Sequence, residues 1–183
     1  RVDEDGLGST ELHAGREDPT VGWYGRFWRR FWFEQFTGRP SLVPMVSEPP
    51  PDWKESMALL DRLMPLAARL VSRAEELVRL TARRPLPIST LQQMQLEESR
   101  ERQTVVALSL QSPATASLAV ALVRDTHNDD GHELTGMAEC RLATYRRWRK
   151  RLHTVAAGFR SFNTAQGFAP RGTTVAVPMA RIG

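Results

Sequence analysis

Residues 52–84 read DWKESMALLDRLMPLAARLVSRAEELVRLTARR. Apolar side chains return at heptad spacing. Met57, Met64, Val71 and Val78 form one row, Leu60, Ala67 and Ala74 a second, and Leu63, Leu70 and Leu77 widen the stripe. Recurrence every three to four residues suits one face of an α-helix, whereas a strand would alternate. Asp52 stands at an N-cap position, with Glu55 three residues on to complete a capping box. Pro65 lies inside the pattern and predicts a kink about one turn before it. Pro85 and Pro87 follow, so the helix stops near residues 81–84. The chain is therefore expected to be mainly α.

C-terminal to this helix, Leu91, Met94, Val105 and Leu108 outline another, capped by Ser89 or Thr90, although Glu97 to Gln103 is nearly all polar. Ser112 and Pro113 make a cap and first-turn pair. They predict a short helix over 114–123. The competing reading is a hairpin of 104–110 against 116–123, disfavoured because Ala and Leu outnumber β-branched residues there. Residues 126–131 read as a loop. A second long helix is predicted over about 133–166. Its rows are Ala138, Tyr145, Leu152, Phe159 and Leu134, Trp148, Val155, Phe162, and only Arg141 breaks the second. Gly167 is placed as its C-cap, and Pro170 prevents continuation. Residues 173–177 read as a short edge strand or an extended tail.

On the N-terminal side, Pro44, Pro49, Pro50 and Pro51 make 39–51 a proline-rich linker. Before it, residues 23–36 hold eight of the fourteen aromatic residues: Trp23, Tyr24, Phe27, Trp28, Phe31, Trp32, Phe33 and Phe36. On a helix, Tyr24, Phe27, Trp28, Phe31 and Trp32 share one arc, and Arg26, Arg29 and Arg30 gather opposite, with Phe33 and Phe36 on the polar flank. Gly38, Arg39 and Pro40 end it. Residues 1–19 are acidic and glycine-containing, with little to bury. The expected architecture is an irregular helical bundle or hairpin of two long amphipathic helices plus shorter ones, with extended N- and C-terminal arms. Its segments are an acidic arm (1–19), an aromatic helix (20–38), the linker (39–51), a helical domain (52–166) and a basic tail (167–183).

Charge is distributed unevenly. The net +4 of the 183 residues divides into −5 over residues 1–139 and +9 over 140–183, because no Asp or Glu follows Glu139. Such a block favours an anionic partner, lipid headgroup or nucleic-acid phosphate. All cations but Lys54 and Lys150 are Arg, which suits bidentate recognition of phosphate and carboxylate and also follows from GC-rich coding. One cysteine, Cys140, leaves no intrachain disulfide and no Cys-rich zinc module. The charge-free run 103–123 is too polar for a membrane-spanning helix. Arg1 in first position is read as a processed leader, a trimmed tag or a fragment, a removed Arg-rich organellar leader being the commonest natural cause.

Motifs for catalysis do not emerge. Walker, Gly-x-Ser-x-Gly and His-Glu-x-x-His sequences do not occur. His127, Asp129, Asp130, His132 and Glu133 crowd one loop, but an EF-hand frame anchored on Gly131 would place Thr126 and Met137 at ligand positions, so a solvated turn is expected. Cys140 reads as a packed thiol, and Glu97, Glu98 and Glu101 as a charged helix surface away from any pocket. Two segments do suggest partners. Trp23, Tyr24, Phe27, Trp28, Phe31 and Trp32 form a candidate membrane or protein anchor. Arg26, Arg29 and Arg30, with Arg146, Arg147, Arg149, Lys150 and Arg151, are candidates for contact with anionic lipid or phosphate. In the second group Tyr145, Trp148 and Leu152 point inward as core anchors, which leaves only the cations for a phosphate. The run Tyr145-Arg146-Arg147 resembles the Leu-Tyr-Arg signature of small mitochondrial assembly factors and respiratory accessory subunits, with Thr144 in place of the leucine, and no role is carried across.

These features lead to the expectation of a protein that is not an enzyme and uses no cofactor or metal. It would be a structural or accessory subunit of a large mitochondrial inner-membrane complex, ATP synthase or respiratory chain, peripheral or interfacial to the membrane. Its partners would be other subunits and a cardiolipin-like anionic surface. The alternative expectation is a mitochondrial ribosomal protein whose basic C-terminal region meets rRNA.

Overall fold

The computed structural model describes residues 19–42, 48–83 and 85–165, the side chains of Pro19 and 162–165 excepted. The expected N-terminal arm and the basic tail after the last helix lie outside the described residues. Among those described, the chain is helical: α1 (Pro19–Thr37), α2 (Trp53–Arg83), α3 (Ile88–Ser109), α4 (Pro113–Asp129) and α5 (Leu134–Ala165). The chain divides into two compact units, residues 1–53 and 54–183.

In the first unit α1 closes on Gly38. Its φ of 66° is left-handed, and its N–H reaches the Glu34 carbonyl at 2.9 Å, a C-cap that a side chain would strain. The proline-rich stretch is fastened at its far end. Trp23 Nε1 donates to the Glu48 carbonyl, and Tyr24 Oη donates to Asp52 Oδ1 at 2.9 Å.

The second unit is a four-helix bundle. Connections of three or four residues turn each helix back along its predecessor. Side chains record the pairing. Arg73 of α2 meets Glu97 and Glu101 of α3 at 3.1 and 2.6 Å. Trp148 Nε1 of α5 donates to the Leu118 carbonyl of α4 at 2.9 Å. Arg146 and Arg160 of α5 pair with Glu75 and Asp61 of α2 at 3.3 and 3.0 Å, which closes the bundle. The topology is up-down-up-down.

The α2 seam is Leu60, Leu63, Ala67, Leu70, Ala74 and Leu77, all buried, with Val71 beside it. Of the row led by Met57, only Val71 is buried; Met57, Met64 and Val78 flank the seam half-exposed. Pro65 sits on the exposed side, and α2 continues unbroken through it. On α5 the seam is Ala138, Tyr145, Trp148, Leu152, Val155 and Phe159; of the remaining predicted row members, Leu134 is half-buried and the Phe162 side chain lies outside those described.

Two boundaries differ from expectation. α3 begins at Ile88, with Pro87 in the N-cap position making no side-chain cap bond, so Ser89 and Thr90 fall inside the helix. The 104–123 region is helical, as expected over the hairpin alternative: α3 runs to Ser109 and α4 opens at Pro113. α4 then continues to Asp129, through most of the predicted loop. Thr126 is buried and donates to the Leu122 carbonyl at 2.8 Å, and Asp129 is held by α5.

Ser112 caps α4 as predicted, its Oγ accepting from the Ala114 N–H at 3.1 Å. The same hydroxyl lies 3.3 Å from Ser56 Oγ on α2, so the cap also ties two helices together. Ser112→Ala is expected to lower unfolding free energy by about 1 to 2 kcal/mol in urea denaturation. A change below about 0.3 kcal/mol would show that the cap contributes nothing.

Candidate functional site

Three features stand out: the aromatic face of α1, the basic face of α5, and a polar network inside the bundle.

On α1 the rings fall into two ladders at i, i+4 spacing. Trp23, Phe27 and Phe31 stack with centroids 5.2 and 6.0 Å apart. Trp28, Trp32 and Phe36 stack at 5.8 and 5.5 Å. Edge-on contacts join them, with Phe27 to Trp28 at 5.2 Å and Phe31 to Trp32 at 5.1 Å. Trp23, Tyr24 and Phe31 are buried, whereas Phe27, Trp28 and Trp32 are half-buried. The C-terminal end is open, with Phe33 43% and Phe36 65% exposed. Arg26 and Arg29 are exposed, and Arg30 pairs with Glu34 at 3.2 Å. The predicted anchor and its arginines thus share one helix, and the two exposed rings lie at its C-terminal end.

The cations of α5 are less available than their sequence suggests. Arg146 pairs with Glu75, and Arg151 lies 3.7 Å from Asp125 of α4. Burial pulls the Arg151 guanidinium below its ordinary value, against the opposing charge of Asp125. Arg147 donates to Thr144 Oγ1 at 3.2 Å, Arg149 is half-buried and Lys150 exposed.

The third feature corrects the sequence reading. Glu98 is 4% exposed, so it belongs to the core and not to a charged surface. Its Oε1 accepts from Arg141 at 2.7 Å, Arg102 at 3.0 Å and Tyr145 Oη at 2.5 Å. Arg141, the one interruption of the α5 rows, is buried on that seam. It also donates to Asp129 Oδ2 at 3.3 Å, Asp130 Oδ1 at 2.5 Å and the Thr126 carbonyl at 3.3 Å. Thr144 donates to the same Asp129 oxygen at 2.9 Å. Asp129 is therefore buried structure, not part of a solvated turn. Glu97 and Glu101 are likewise committed, to Arg73 of α2, whose pKa is raised chiefly by its hydrogen bond to Glu101. A hydrogen bond from Gln93, then Arg73, holds the Glu97 carboxyl below its ordinary range.

Electrostatics fit a closed network. Burial alone would lower the Arg141 guanidinium, but Glu98 and Tyr145 outweigh it and the value is raised. Burial, then the Glu98 charge, pushes the Tyr145 phenol well above its ordinary value, so it stays a donor. Each charge faces a partner, as burial demands.

Two signals pointed to this network. Arg141 breaks an otherwise apolar row, and Glu98 lies in register with Leu91, Met94, Val105 and Leu108 on α3. Opposite charges on two core seams are complementary once the helices face each other.

Among the described residues no group of three His, Cys, Asp or Glu converges to hold a metal ion. None of the described helices is long and apolar enough to cross a membrane. No protein-family model matches the chain, and comparison with curated proteins and with solved structures found no match.

Proposed function

We propose that the protein is a non-catalytic accessory subunit that docks into a larger assembly through α1, the bundle serving as a rigid body. The carrying observation is the open end of α1. Phe33 and Phe36 are exposed beside a ladder of half-buried indoles, with Arg26 and Arg29 on the same helix. Trp, Tyr and Arg are the residue types that carry binding energy at protein interfaces, and large rings with arginines also suit the headgroup layer of a membrane. The bundle core supports a scaffold role, since its buried charges Glu98, Asp129 and Arg141 are paired with one another.

The assembly we propose is a mitochondrial inner-membrane complex, of the ATP synthase or respiratory chain, with the protein peripheral to the bilayer. The sequence support is the Arg-rich, acid-free C-terminal block. A ribosomal role is the weaker reading. Arg146, Arg151 and Arg160 face Glu75, Asp125 and Asp61 within the bundle, which lowers the positive potential available to RNA.

Size on co-purification tests the proposal. After solubilisation in mild detergent, the protein should migrate with a membrane complex much larger than the 20.7 kDa of these 183 residues. Migration with a ribosome-sized particle that dissociates steeply with salt would transfer it to the RNA reading. A lone monomer at native concentration would overturn both.

A further inference from the structure

Between α2 and α3 lies a cavity of about 300 Å³ whose lining includes Glu98. Leu77, Leu80 and Met94 supply apolar walls, and Glu76 and Glu97 add two carboxylates. Arg73 also lines it, but that guanidinium is already held by Glu97 and Glu101.

The two oxygens of Glu98 differ. Oε1 takes three donors, from Arg102, Arg141 and Tyr145, none of which lines this cavity. No hydrogen bond from the described residues reaches Oε2, although the side chain is only 6% exposed. A buried carboxylate oxygen without a donor is unfavourable, and a bound donor would relieve it. Here the donor must suit a lining that combines carboxylates with apolar side chains. A nitrogen cation on an aliphatic stem meets both conditions, with the ammonium at Glu98 and the stem along Leu77, Leu80 and Met94.

We propose that this cavity binds a primary alkylammonium group, with Glu98 Oε2 accepting one of its N–H bonds. The source is a free aliphatic amine or a lysine side chain, the same chemistry on two carriers. This inference does not depend on α1 docking.

Calorimetric titration of the full chain with hexylammonium, and with its neutral counterpart hexanol, tests the site. Hexylammonium should bind saturably and shift the Met94 methyl resonance, and hexanol should bind at least about tenfold more weakly. Glu98→Gln should weaken hexylammonium by a similar factor. Because that change also disturbs the core network, Leu80→Trp is the decisive variant. It fills the cavity from a half-buried position, leaves the Glu98 donors in place, and should abolish binding while the urea midpoint holds. A capped Gly-Lys-Gly peptide identifies the carrier: tighter binding than hexylammonium assigns a protein lysine, weaker binding a free amine. Equal affinity for hexanol, binding that survives Leu80→Trp, or no saturable binding of hexylammonium would overturn the site.

Discussion

Arg141→Met is expected to lower the unfolding free energy of the bundle by about 3 to 5 kcal/mol, the largest loss of any single substitution outside the apolar core. The side chain fits the seam between Ala138 and Tyr145, so the loss is electrostatic more than steric. Its guanidinium is the shared donor of Glu98 and Asp129, both buried. Without it, Asp129 keeps only Thr144, and Glu98 keeps Arg102 and Tyr145. Two carboxylates then remain in the interior with less than their full complement of charge. Removing every member of the unit should be milder than removing one. The triple variant Glu98→Leu, Asp129→Asn, Arg141→Met should recover at least half the loss, since an apolar replacement of a buried ion pair is often neutral. Urea denaturation of the parent, Arg141→Met and the triple variant, comparing midpoints at constant slope, reads the effect. A cost under about 1 kcal/mol for Arg141→Met would mean the guanidinium reaches water and the network is not closed.

The same residues mark where sequence reading succeeds and where it stops. Helical periodicity placed the α2 and α5 seams because it depends only on spacing along one helix, and the Ser112 cap was legible because its bond spans two residues. Glu98 and Arg141 sit 43 positions apart, so each looks like a solvated charge until the other helix faces it. Local polarity then misleads: Thr126 to Asp129 reads as loop, yet Arg141 and Thr144 hold Asp129 and draw α4 out by more than a turn. For the basic face of α5 the cations were visible and their acidic partners were not, since Glu75, Asp61 and Asp125 belong to other helices. At α1 the aromatic arc was plain. The hydrogen bonds that fasten Trp23 and Tyr24 to residues 48 and 52 were hidden, because they cross a proline-rich stretch whose path composition does not specify.

Phe33→Ser combined with Phe36→Ser should separate docking from folding. Both rings are exposed, and substitutions at such positions usually change stability by no more than about 0.5 kcal/mol. Phe36 does stack on Trp32, so a small local cost is expected. If α1 is the docking element, the rings at its open end become fully desolvated in the assembly. An interface hot spot is worth about 2 kcal/mol or more, which is roughly thirtyfold in affinity per ring. The double variant should therefore lose at least about thirtyfold in association with the solubilised complex, even if only one ring is a hot spot, while its urea midpoint stays near that of the parent. Trp32→Ala provides a contrast. It breaks the stack with both Trp28 and Phe36, so it should reduce association and also perturb the fluorescence of the first unit. Co-sedimentation with cardiolipin-containing vesicles identifies the surface: a parallel loss there assigns the rings to lipid, and unchanged vesicle binding assigns them to a protein groove. Unchanged association with the complex together with a depressed midpoint would mean that the rings are needed for the fold of this chain, and docking through α1 would be wrong.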